Sequence, residues 1–108
     1  MKRLGILLAA AGVASATGMV AWAQNAEPLD RNAASMLASA CFNCHGPEGV
    51  APGPIPSIAG MPADQMIAML NAFKADEVPG ATIMGRIARG YDDAEIAAIA
   101  AYFAGDFN

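Results

Sequence analysis

Cys41-Phe42-Asn43-Cys44-His45 contains both cysteines and the only histidine of a 108-residue chain. Two thiols three positions apart, with an imidazole directly behind the second, form the pattern of covalent haem attachment. Thiols so spaced near a helix end reach the two vinyl groups on one edge of a porphyrin and form thioethers, and the adjacent imidazole then lies under the iron. Competing uses of the same residues fail on context. A disulfide between them would close a loop too short to stabilise much. A thioredoxin-like pair requires a βαβ setting that is absent here, and a zinc site requires more ligands than two cysteines and one histidine usually supply. The pattern therefore predicts one covalent haem c on Cys41 and Cys44, with His45 as an axial ligand of its iron.

The other axial ligand has to come from a residue that is not histidine, and a methionine thioether is the leading candidate. Met36, Met66 and Met69 fall on apolar helical faces, where methionine usually fills core gaps. Met61 follows His45 closely, at the end of a loop. Met84 lies in a glycine-bracketed, irregular segment between two helices, where the backbone can present a side chain to the far face of the haem. Met84 is the expected ligand; its alternative is core packing, with a five-coordinate iron or with Met61 in its place.

Helices are expected on either side. Asp30 reads as the N-cap of a helix over residues 30–43, with Ala33, Met36, Leu37, Ala40 and Cys44 on one face, so that Cys41 sits in its last turn. Residues 46–60 carry four prolines and four glycines, which forbid regular structure and make a wrapping loop. Pro62 stands where a helix tolerates proline, ahead of Met66, Met69, Leu70 and Phe73 at helical spacing, and that helix ends near Lys74. Asp92 with Glu95 forms an acidic capping box for a third helix over residues 92–104. No stretch alternates with period two long enough for a confident strand, so the fold class is all-α.

Lys2 and Arg3 precede an uncharged, mostly apolar stretch that ends in Ala21-Trp22-Ala23, which reads as a secretory signal over residues 1–23 cleaved after Ala23. An uncleaved membrane anchor is the competing reading, since the stretch is about long enough to span a bilayer. Cleavage leaves 85 residues, 24–108, as one small domain with no tryptophan and six aromatic residues. At that size a side-chain core alone is marginal, and an embedded haem would supply the missing volume. Arg31, Lys74, Arg86 and Arg89 face all ten acidic residues in this part, a formal charge of −6. That balance excludes nucleic acid as a natural partner. Arg86 and Arg89, close behind Met84, read either as solvated charges or as groups flanking an exposed haem edge.

Attachment near the N-terminus, then Pro56-Ser57-Ile58-Ala59-Gly60, then a methionine ahead of a C-terminal helix with Ala101-Tyr102-Phe103 resembles the class I cytochromes c over nearly all of residues 24–108. The resemblance implies about three main helices and loops wrapped around one haem. It places Pro56 and Ile58 in the haem pocket, with the Pro56 carbonyl accepting a hydrogen bond from His45 Nδ1. It also implies a crossing of the first and third helices near Ala33, Ala34, Tyr102 and Phe103. A sharper likeness, in Pro56 to Gly60 and in Ala81-Thr82-Ile83-Met84-Gly85-Arg86-Ile87-Ala88-Arg89-Gly90-Tyr91, is to the cytochrome subunit of flavocytochrome c sulfide dehydrogenase. That resemblance implies a periplasmic electron carrier, not catalytic alone, paired with an FAD subunit that oxidises sulfide. Some such subunits carry two haem domains, and this chain has one. The alternative function is a freely diffusing cytochrome that serves an oxidase or another redox enzyme.

Overall fold

The computed structural model describes residues 27–107, and the expected signal at residues 1–23 lies outside them. Among the described residues there are α-helices and one 3-10 turn but no strand, in agreement with the all-α expectation. Three longer helices form the frame: α1 (Arg31–Ser39), α3 (Ala63–Lys74) and α5 (Asp93–Ala104). Two short ones, α2 (Phe42–His45) and α4 (Met84–Ala88), lie between them.

The helix ends follow from local chemistry. Asp30 caps α1 by accepting from the Ala33 amide at 2.8 Å, satisfying a donor that a helix start otherwise leaves unpaired. At α5 the capping box is complete in both directions, Asp92 with the Glu95 amide at 2.8 Å and Glu95 with the Asp92 amide at 2.9 Å. Pro62 sits just ahead of α3, and Gly105 ends α5 in the left-handed conformation at φ 81°.

Two expectations are corrected. The single helix read over residues 30–43 is broken at Ala40 and Cys41, so Cys41 precedes α2 instead of ending α1. The face read for that helix is displaced as well: Ala34 and Ala38 are buried, with Leu37 and Cys41 packed against the core, whereas Met36, Ala40 and Cys44 are exposed, because in so alanine-rich a stretch spacing does not fix which side is covered. The segment read as irregular around Met84 contains α4, of which Met84 is the first residue.

Alanines let α1 and α5 approach closely: Ala34, Ala38 and Ala100 are fully buried. Ala38, Met66, Ile99, Ala100 and Phe103 form a core cluster to which α1, α3 and α5 all contribute. Phe103 meets Tyr102 and Phe42 edge-on, with ring centres 5.4 and 6.1 Å apart, a favoured aromatic geometry. α1 and α5, expected to cross near Ala33, Ala34, Tyr102 and Phe103, do pack together, with Ala38 against the cluster of Ile99, Ala100 and Phe103. Ile96 is the one large side chain that is fully buried among the described residues. The side-chain core is small for the frame around it.

Candidate functional site

The break after α1 sets the orientation of the two thiols. The amides of Ala40 and Cys41 close α1 on Leu37 and Ala38, and the Cys41 carbonyl then accepts from Cys44 and His45 to start α2. Cys41 is half-buried against the core cluster and Cys44 is exposed, and neither forms a disulfide. Burial pushes the Cys41 thiol above its ordinary value, and the neighbouring Cys44 adds in the same direction.

His45 ends α2, and its Nδ1 lies 2.6 Å from the Pro56 carbonyl oxygen. A carbonyl only accepts, so Nδ1 carries the proton and donates, which leaves the Nε2 lone pair free for a metal. The loop is folded to make this contact. The Gly49 carbonyl accepts from the amides of Ile58 and Ala59 at 2.8 and 3.1 Å, and the Gly60 amide donates to the Phe103 carbonyl at 2.8 Å. Ser57 Oγ accepts from the Ala51 amide at 2.8 Å. Gly46 begins the loop at φ 83° and ψ 165°, a conformation almost confined to glycine. Pro56 and Ile58, placed in the pocket by resemblance, thus sit beside His45 and against the core respectively.

The methionines separate by environment. Met66 is buried in the core and Met61 packs against it. Met36 and Met69, expected in the core, are instead 77% and 40% exposed; helical spacing identified a face but not whether a neighbour covers it. Met84 is half-buried on α4 and lies outside the core cluster. Hydrogen bonds unite Cys41, Cys44, His45 and Pro56 in one site, whereas Met84 comes from a separate segment. Arg86 and Arg89 are exposed and line a cavity of about 90 Å³ between the end of α3 and α4, together with Asp76 and Thr82. Neither cysteine nor His45 lines that cavity.

The residues fit a haem. The donor set is an imidazole fixed through its far nitrogen and two unpaired thiols, the chemistry that covalent attachment uses. Val50 and Ile55 of the loop, Met69 of α3, and Ile83 and Ile87 around α4 leave large apolar side chains exposed, surface that a porphyrin can cover.

Two features of the site escaped sequence reading. Glu48 adopts a left-handed conformation at φ 53° and accepts from the Tyr102 hydroxyl at 2.6 Å, which ties the turn behind His45 to α5. The glycine on either side of Pro47-Glu48 was the available sign of a tight turn, but nothing local pointed to Tyr102.

An all-α frame with one C-x-x-C-H site and a histidine braced by a loop carbonyl defines a monohaem electron carrier. The profile of the cytochrome c family matches residues 30–105. The chain is 36% identical over 97 residues to the cytochrome subunit of sulfide dehydrogenase from Chlorobaculum tepidum, covering 90% of this chain and 87% of that one. It is also 40% identical over 67 residues to a thiosulfate dehydrogenase electron acceptor from Stutzerimonas stutzeri, covering 59% of this chain and 31% of the other. The chain belongs to the cytochrome c family, whose cofactor is covalently bound haem c.

Proposed function

We propose that Cys41 and Cys44 hold the haem as thioethers, that His45 and Met84 are its axial ligands, and that the chain is the haem subunit of a sulfide-oxidising flavocytochrome. Residues 1–23 would direct export and be removed, leaving residues 24–108 in the periplasm. No described helix is long and apolar enough to cross a membrane.

The 2.6 Å contact between His45 Nδ1 and the Pro56 carbonyl carries the haem reading. It holds the ring in one tautomer and raises the basicity of the ligating nitrogen. Bound haem c supplies a one-electron iron couple, and a thioether from Met84 favours its ferrous state and raises its potential. With both axial positions taken by its own side chains, the chain leaves sulfide no coordination site. Sulfide oxidation then falls to a flavoprotein partner, for which the likeness to the Chlorobaculum subunit over 90% of the chain is the support.

The second reading, a freely diffusing carrier, is favoured by the likeness to the Stutzerimonas electron acceptor. Native purification followed by gel filtration at low and high salt separates the two. A permanent subunit has an interface with an apolar centre and co-elutes with its flavoprotein at both. A cytochrome that elutes alone at monomer size in both conditions overturns the subunit reading.

A further inference from the structure

We infer that Lys74 is a positioning residue for Met84: its ammonium straps shut the base of the segment that carries the methionine. The inference rests on the reading of Met84 as the sixth ligand.

Lys74 is the last residue of α3, and Tyr91 directly precedes Asp92, the N-cap of α5. Lys74 Nζ donates to the Tyr91 carbonyl at 2.7 Å across 17 residues, in partly buried surroundings. A lysine at a helix C-terminus usually serves its own last carbonyls. This one reaches past them to the carbonyl at the far end of the next connection. In a chain with ten acidic residues, its contact is a backbone oxygen.

No backbone hydrogen bond closes the connection onto the helices around it: among the described residues, those donated by residues 78–91 all stay within that segment, as in Ala81 to Val78, Arg86 to Ile83 and Tyr91 to Ala88. Packing holds it as well: α4 lies against α3, Ala88 is fully buried, Tyr91 packs on the core cluster, and a Cβ on Gly85, next to Met84, would lie 3.3 Å from the Phe73 carbonyl. Met84 is thus bracketed by two consecutive residues of α3, Phe73 against Gly85 and Lys74 through Tyr91. A charge-assisted bond that closes a loop restricts how far its ends can separate, and that limits how often the methionine can withdraw.

The test uses haem-loaded protein with Lys74→Leu, which keeps apolar volume without a donor, and Lys74→Arg, which keeps one. Covalent haem content should be unchanged. Lys74→Leu should raise the rate of carbon monoxide uptake by the reduced protein roughly tenfold, the factor expected for one charge-assisted hydrogen bond, and Lys74→Arg should restore the slow rate. On warming, the sulfur-to-iron absorption of Lys74→Leu should bleach well below the temperature at which helix content is lost. Uptake at the wild-type rate, or absorption and helix lost together at one lowered temperature, overturns the inference. If Lys74→Leu does not accumulate, Lys74→Ala, which also lacks a donor, is read by the same criteria. The ligand reading is judged separately: wild-type protein without the sulfur-to-iron absorption, or Met84→Ala that retains it, overturns that reading whatever Lys74 does.

Discussion

The hydroxyl of Tyr102 donates to the carboxylate of Glu48 at 2.6 Å, joining residues 54 apart in the chain and fixing the turn behind His45 to the last helix. The bond to Glu48 pushes the Tyr102 hydroxyl above its ordinary value of 10.0, with partial desolvation acting in the same direction. A group whose folded value is raised contributes stability that is complete below its unfolded value and is lost as pH rises through the folded one. Tyr102→Phe should therefore lower stability by less than about 1 kcal/mol at neutral pH, since the pair is solvent-exposed. The difference between the two proteins should be constant up to about pH 10, the ordinary tyrosine value, and shrink as the pH rises above it. Denaturant melts of both across that range measure it.

Gly46 is the residue on which the His45 turn depends. A Cβ there would overlap the Val50 carbonyl, whereas one at Gly53 meets nothing. Gly46→Ala should cost at least about 1–3 kcal/mol through its backbone conformation alone, and should cut the yield of haem-loaded protein severalfold. Gly53→Ala should be neutral. Haem stain per unit of secreted protein reads both.

Met84→Ala should keep its covalent haem, because attachment depends on Cys41, Cys44 and His45. It should lose the sulfur-to-iron absorption and bind carbon monoxide readily. An unchanged visible spectrum would transfer the role to another residue, Met61 first.

The double variant Cys41→Ala, Cys44→Ala should lose cooperative folding along with its colour. Met66, Ile96, Ile99 and Phe103 are the large side chains buried among the described residues, and a domain this small has little core to spare without its porphyrin. Circular dichroism of the exported variant is the measurement; a native-like cooperative melt without haem would refute it.

Much of this was legible in the sequence where the signal is local. Asp92 and Glu95 announce a helix start by residue type and spacing, and the capping box is there. Cys41, Cys44 and His45 declare their chemistry within five residues. The break at Cys41 was illegible because residues of apolar type keep helical spacing across it. So was α4, whose five residues have no side-chain cap and too little length for a periodic signal. Pro56 came only through resemblance, because a backbone carbonyl leaves no residue-type signature. The bonds from Tyr102 to Glu48 and from Lys74 to Tyr91 join distant positions, and such pairings are set by tertiary packing that no local pattern encodes.

The pairing of α1 with α5 also dictates when the protein can fold. The core cluster needs Ala38 from the start of the domain and Ile99, Ala100 and Phe103 from its end, so its hydrophobic contacts are long-range and close late. A chain that emerges N-terminus first lacks three of the five residues of that cluster until α5 has followed, and its core stays open until then. The same dependence makes the C-terminal helix intolerant of trimming: loss of Phe103 removes one member of the core cluster, and loss of α5 leaves Ala38 without Ile99, Ala100 and Phe103, whatever is attached at Cys41 and Cys44.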